Sequence, residues 1–177
     1  NGRTARLIEL QVLLSAGVPT VSAHLLSNHY NQTRSEYYRH LDISHQNGGD
    51  PIPFIEYALN GFIDAQKEQI QTIREQQLSV LWINHIHDRF RDKDSPSSIR
   101  RRRLIIDLSR QPDPVPVSGV RHVSPRVAEA FANKTDKTVK RDLNQLKQMG
   151  LIEITTKGVR ARREKVLAFL PAVRKEE

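Results

Sequence analysis

The chain contains no cysteine, which excludes a disulfide scaffold, a thiolate metal site, a thiol nucleophile and a redox motif together. A reducing, cytoplasmic compartment fits that absence. No uninterrupted apolar run approaches the ~20 residues a membrane helix needs, so a soluble chain without a membrane partner is expected. Proline is missing from 54 to 95 and glycine occurs there once, at Gly61, which leaves an unbroken stretch for a long helix. At 177 residues there is room for one ordinary domain or two small ones. The first residue is Asn1 rather than Met, and we read the chain as a fragment of a longer protein.

What is present is an excess of positive charge, distributed unevenly. The formal net charge is +8. Residues 1–95 carry 9 basic and 11 acidic side chains, a net of −2, whereas residues 96–177 carry 19 basic and 9 acidic, a net of +10. The second value is the electrostatic footprint of a module that binds a polyanion. Asp92-Lys93-Asp94-Ser95-Pro96-Ser97-Ser98 has the composition of a linker and falls at the same place. Two parts, 1–95 and 96–177, are therefore expected.

In the first part, Leu7, Ile8, Leu10, Val12, Leu13 and Leu14 are apolar nearly all round a helical projection, and Gly17 and Pro19 stop the run. A buried helix over about 3–16 is predicted. Asn1 can cap it, Gly2 permits close backbone approach, and the free N–H groups of a helix start attract anions. Arg3 and Arg6 share a face and carry fork-shaped donors suited to phosphate oxygens. A capped helix with two solvated arginines is the competing reading.

Asn1-Gly2-Arg3-Thr4-Ala5-Arg6 resembles the second half of the Fic family motif, which runs His, any, Phe or Pro, any, Asp or Glu, Gly, Asn, Gly, Arg, any two, Arg. Asn31-Gln32-Thr33-Arg34-Ser35-Glu36-Tyr37-Tyr38-Arg39-His40-Leu41 is similar to the family's later Arg-x-x-Tyr-Tyr-x-x-Leu helix. Asp50-Pro51-Ile52-Pro53-Phe54-Ile55 resembles the start of the helix that follows. The resemblance implies an all-helical fold, covering residues 1 to about 75, and an enzyme that transfers AMP from ATP to a hydroxyl of a target protein. It also implies that Asn1, Gly2, Arg3 and Arg6 hold nucleotide phosphates, and that Arg6 can meet an inhibitory glutamate. The motif's histidine, its magnesium-binding carboxylate and its first glycine have no counterpart from Asn1 onward. Without a base or a metal, transfer is negligible, so this chain alone is expected to be inactive and without cofactor. ATP and magnesium belong to an intact parent.

His24, His29, His40 and His45 have no partner at an interpretable spacing and are expected to be solvated or capping. His85 and His87 lie two apart, about 200° on a helix, and cannot share a metal ion. Over 53–91, apolar residues at Phe54, Ala58, Phe62, Ala65, Ile70, Ile73, Leu78, Leu81 and Ile86 predict one long helix, or two joined near Gln76-Gln77. Its polar middle from 66 to 77, with Ile70 and Ile73, suits either a narrow seam for a second chain or an intramolecular connector. A homodimer is thus one of two open readings.

In the second part, Ser95-Pro96 opens a helix through Arg100 to Arg103, and residues 111–116 form a proline-rich loop. Ser124-Pro125 opens a second helix with Val127, Ala128 and Phe131 buried. Asp136 is expected to cap a third, with Val139, Leu143 and Leu146 on its apolar face and Gly150 ending it. A strand over 151–156, a turn at Lys157-Gly158 and a strand over 159–162 complete a winged-helix order. Residues 164–170 fit either a short helix or a further strand, and Arg174, Lys175, Glu176 and Glu177 a frayed tail.

Lys137-Thr138-Val139-Lys140-Arg141-Asp142-Leu143, followed by Gly150-Leu151-Ile152, resembles the recognition helix of DeoR-like winged helix-turn-helix regulators. In such modules the first turns of this helix enter the major groove. Lys137, Thr138, Lys140, Arg141 and Asn144 are the candidate DNA contacts. Arg160, Arg162 and Arg163, with Arg100 to Arg103, are candidates for backbone phosphates. A protein-interaction or dimerisation module without DNA binding is the alternative.

Overall fold

The computed structural model describes residues 2 to 170; Asn1 and the tail, including Arg174, Lys175, Glu176 and Glu177, lie outside the described residues. It is mainly helical with one small antiparallel sheet. The order is α1 (Gly2–Ser15), α2 (Thr20–Gln32), α3 (Arg34–Gln46), α4 (Ile52–Arg89), α5 (Pro96–Leu108), α6 (Pro125–Phe131), α7 (Asp136–Gln148), β1 (Ile152–Thr155) and β2 (Gly158–Ala161). Short 3-10 turns occupy Val120–His122 and Arg163–Phe169. The last of these decides the 164–170 ambiguity in favour of helix over strand. No helix among the described residues is long and apolar enough to cross a membrane.

Two compact units divide between Ile73 and Arg74, inside α4. That packing boundary lies upstream of the change in charge at Ser95, because the last turns of α4 supply Trp82 and Ile86, and the residue after it Phe90, to the second unit's core. Most of the stretch without proline lies in one 38-residue helix, which takes in Pro53 at its start and ends at Arg89, with no break at Gln76-Gln77.

The first unit is built on an aromatic cluster. Leu26, Tyr30 and Ala58 are buried, with Leu13, Tyr37, Phe54, Tyr57 and Phe62 packed around them. His40 stacks on Tyr57 at 4.6 Å between centroids and His29 lies at 4.9 Å on the same ring. These two histidines are therefore half-buried, not solvated, while His24 and His45 are exposed. The prediction of a buried first helix fails: α1 forms, but none of its side chains is buried, and Leu7, Ile8 and Val12 are 66%, 58% and 60% exposed. Within the described unit only one side of α1 meets α2, so an apolar face all round has too little to pack against.

The second unit places α5, α6 and α7 around Leu104, Ile105, Leu108, Val127, Phe131, Leu143 and Leu146. Ser95 and Ser124 cap α5 and α6 through the amides of Ser98 and Val127, as their Ser-Pro pairs predict. Thr135, not Asp136, occupies the cap position of α7; Asp136 sits in the first turn, where its charge favours the helix dipole. Gly150 ends α7 at φ 69°. β1 and β2 pair with Ile152 opposite Ala161 and Thr155 opposite Gly158, so Thr156 and Lys157 make the turn. Val115, from the proline-rich loop, exchanges backbone hydrogen bonds with Val159 at 2.9 and 2.8 Å. At Gly158, with φ 135°, a Cβ would lie 2.5 Å from the Val115 oxygen, so only glycine fits there.

Two buried carboxylates tie the helices together. Asp142 of α7 is fully buried and accepts from Arg100 Nε and Arg101 Nε, each at 2.7 Å. Arg100 is itself buried, with its guanidinium 5.3 Å from the Phe131 ring centroid. Asp107 of α5 accepts from Ser124 Oγ at 2.6 Å and from the Arg126 guanidinium. Burial raises the Asp107 carboxyl, but the Arg126 and Ser124 hydrogen bonds and the charges of Arg126 and Arg110 outweigh it and hold it below its usual 3.8.

Removing one partner of a buried pair leaves the other charge uncompensated, which costs about 3–5 kcal/mol. Asp142→Ala is expected to lose a stability of that order in denaturant unfolding followed by Trp82 fluorescence; a loss under about 1 kcal/mol would put the pair in solvent. For Asp107, whose folded pKa is depressed, the stabilisation is complete above 3.8 and is lost as pH falls through the folded value. Asp107→Asn is expected to flatten the acid limb of the Trp82 melting curve below pH 3.8.

Candidate nucleic-acid interface and anion pocket

The amphipathic pattern of α7 separates its side chains cleanly. Val139, Asp142, Leu143 and Leu146 face inward, while Lys137, Lys140, Arg141 and Asn144 are exposed on the opposite side and Thr138 is half-buried at the edge. These five line a shallow concavity of about 460 Å³ that also takes in Thr135, Gln145 and Gln148. Among the described residues no carboxylate lines it. Among the described residues, none of Lys137, Lys140 and Arg141 has an ion-pair partner, whereas many other basic groups of the second unit do. The face is therefore an array of free cations and amides on a rigid helix.

The remaining predicted contacts divide. Arg160 is exposed but ion-paired across the hairpin to Glu153, and Arg162 donates to Glu164 at 3.0 Å. Arg163 donates to Ser79 Oγ at 2.8 Å and faces the core side. Arg100 and Arg101 are spent on Asp142, so they are corrected from phosphate contacts to framework. Only Arg102 and Arg103 of that run stay free of ion pairs among the described residues. Arg126, at the start of α6, and Arg121, paired with Asp136, are surface cations that composition alone did not single out. Asp142 had a legible signal: it is a carboxylate in phase with Val139, Leu143 and Leu146, and a charged residue in an apolar phase is rarely left unpaired.

In the first unit, the start of α1 opens on a cavity of about 630 Å³ lined by Arg3, Arg6, Arg34, Tyr30, Tyr37 and Tyr38, with Gly2, Thr4 and Asn31. Arg3 is exposed and Arg6 half-buried. The Arg34 guanidinium lies 5.8 Å from the Tyr38 ring centroid. Three guanidinium groups, first-turn amides and aromatic faces therefore open on one space, and among the described residues no carboxylate lines it. The candidate phosphate residues Gly2, Arg3 and Arg6 are together there; Asn1 lies outside the described residues. Arg34, from the stretch that resembles the Fic family's later helix, joins them, a placement its position in the sequence does not signal.

Beside this cavity, Tyr30 donates to Glu9 Oε1 at 2.8 Å. Burial pushes the Glu9 carboxyl above its usual 4.5, against the pull of the Tyr30 hydrogen bond and the Arg6 charge. Burial, then the bond to Glu9, pushes the Tyr30 hydroxyl above its usual range. Among the described residues no group of three histidines or carboxylates is placed to hold a metal.

A carboxyl whose folded pKa is raised contributes stability that is complete below 4.5 and is lost as pH rises through the folded value. The four tyrosines all lie in the first unit and the single tryptophan in the second, so near-ultraviolet circular dichroism reads the units apart. The tyrosine-detected melting temperature is expected to fall as pH rises above 4.5, and to do so less in Glu9→Gln; an unchanged slope in the variant would remove Glu9 as the cause.

Compared with family models, curated proteins and solved structures, the chain matches none of them.

Proposed function

We propose that the second unit is a winged helix that binds duplex DNA with α7 in the major groove, and that the first unit is the rear part of a Fic-type nucleotidyltransferase fold. The observation that carries the DNA reading is the free cationic face of α7. A helix whose inward side is pinned by Asp142, whose outward side bears Lys137, Lys140, Arg141 and Asn144, and whose one exposed carboxylate, Asp136, is turned to Arg121 has the form of a groove reader. Thr138 would sit at the rim of that contact. The hairpin's Arg160 and Arg162 would serve as backbone contacts after releasing Glu153 and Glu164, exposed pairs that hold little energy. Free α7 cations favour DNA over the protein-interaction alternative, since protein interfaces are depleted of lysine at their centre.

The Fic reading is supported by the cavity at the start of α1. There Gly2, Arg3, Arg6 and Arg34 suit the phosphates of ATP, and the tyrosine rings suit an aromatic base. The cavity has no carboxylate lining, so the described residues offer magnesium no ligand there. Magnesium, when bound, would neutralise phosphate charge. On this reading the chain by itself holds nucleotide phosphates without transferring AMP, and transfer to a protein hydroxyl belongs to a longer polypeptide with the whole motif.

Fluorescence anisotropy on a labelled duplex across a salt series tests the DNA reading. Log affinity is expected to fall with log salt by about 0.9 per phosphate contacted, and Lys140→Ala with Arg141→Ala to lower that slope by about two contacts. No binding at low salt would overturn the reading. For the nucleotide reading, an upstream-extended chain is expected to transfer label from ATP to protein and Arg6→Ala to abolish it; an inactive extended chain with an intact motif would count against it.

A further inference from the structure

We propose that the outward face of α4 between Ile52 and Ile73 is the interface of an antiparallel homodimer. The inference is independent of the DNA and nucleotide readings. One side of this part of α4 packs Phe54, Tyr57, Ala58 and Phe62 into the first unit's core. On the other side Ile52, Ile55, Leu59, Ile63, Ile70 and Ile73 are 53%, 43%, 55%, 48%, 51% and 43% exposed. At 100° per residue all six fall within an arc of about 80°, a single stripe along one edge of the helix. The only interruption is Gln66, whose amide oxygen accepts from Ser22 Oγ at 3.2 Å. Folded proteins rarely leave a contiguous apolar surface of this kind open unless something covers it. A stable homodimer covers about 800 Å² on each partner, and six half-exposed isoleucine and leucine side chains with their flanks are of that order.

The stripe fits a second copy because it is nearly its own reverse. Its steps, counting Gln66, are three, four, four, three, four and three. Turning one copy end for end about a point between 62 and 63 sets Ile52 level with Ile73, Ile55 with Ile70 and Leu59 with Gln66. The charges agree with this alignment. Glu56 and Lys67 lie on the same flank of the stripe, just beyond Ile63; Lys67 pairs with Asp64 of its own helix at 3.1 Å, an exposed contact of little energy that it can exchange for one across the interface. In an antiparallel pair like flanks meet, and Glu56 comes within about a turn of Lys67 on the second copy, twice by symmetry. In a parallel pair that flank would meet the opposite one, which carries Phe62, Gln69 and Gln76 and no charge.

Sedimentation velocity of the chain at micromolar concentration is expected to show a dimer. Leu59→Glu with Ile63→Glu, both at exposed positions, is expected to weaken it by at least about a hundredfold, with the tyrosine circular dichroism unchanged as proof of folding. Because the chain has no cysteine, single thiols report the alignment. Ile63→Cys is expected to link to itself across the two-fold axis, whereas Ile52→Cys is not, since its two copies stand about 30 Å apart at 1.5 Å per residue. Lys67→Glu is expected to weaken the dimer and Glu56→Lys added to it to restore it. A monomeric chain, a dimer indifferent to the glutamates, or equal self-linking at Ile52→Cys and Ile63→Cys would each overturn the proposal.

Discussion

The buried carboxylate of Asp142, shared between Arg100 and Arg101, is the constraint on which the second unit depends. It does not add much stability for its own sake, since a buried ion pair roughly repays its desolvation. Its effect is on placement. Asp142 directly follows Arg141 and lies within about a turn and a half of Lys137, so the same bonds that hold α7 against α5 set the rotation of α7 about its axis. That rotation decides which cations point outward. The Phe131 ring beside Arg100 excludes water from one side of the pair, which strengthens its directionality in a low dielectric.

Asp107 does for α6 what Asp142 does for α7. Both carboxylates draw arginines inward or along the surface and leave lysines free, which follows from the chemistry of the two cations. A guanidinium satisfies a carboxylate through a planar fork, whereas an ammonium is more strongly hydrated and stays in water. The net charge of residues 96–177 therefore overstates the charge available to a partner. Among the described residues the free part comprises Lys137, Lys140, Arg141 and Lys147 of α7, Arg102 and Arg103, and the scattered Lys134, Lys157 and Lys165. In the first unit the division is different: arginines at the start of α1 and α3 face a space bounded by tyrosines, while Glu9 is turned to Tyr30 and Glu36 to Arg39.

Much of the helical layout was legible because local chemistry decides it. Ser95-Pro96, Ser124-Pro125, Gly150 and the stretch without proline each act through the backbone, and a backbone signal needs no knowledge of neighbours. The burial of α1 was not legible, since apolar content states what a helix can bury and not what is there to cover it. His29 and His40 were misread for a similar reason, because stacking on Tyr57 is a contact between α2, α3 and α4 that no spacing along one helix encodes. Of the candidate site, the outward face of α7 could be read from its period. The withdrawal of Arg100 and Arg101 could not, because a run of four arginines looks alike to composition whether it faces solvent or a buried carboxylate.

The three-way contact at Asp142 also bears on how such a chain changes over generations. Substituting Asp142 alone strands two guanidinium groups, one of them buried, and substituting Arg100 alone strands a fully buried anion. Drift away from the triplet must therefore pass through a poorly folded intermediate, and an apolar replacement is reachable only by changes at several positions together. The side chains of Lys137, Lys140 and Asn144, for which no bond to another described residue is seen, carry no such barrier. Descendants of this chain are free to vary the outward side of α7 one residue at a time while the inward side is frozen, so a new surface specificity can arise on an old framework without a loss of fold along the way.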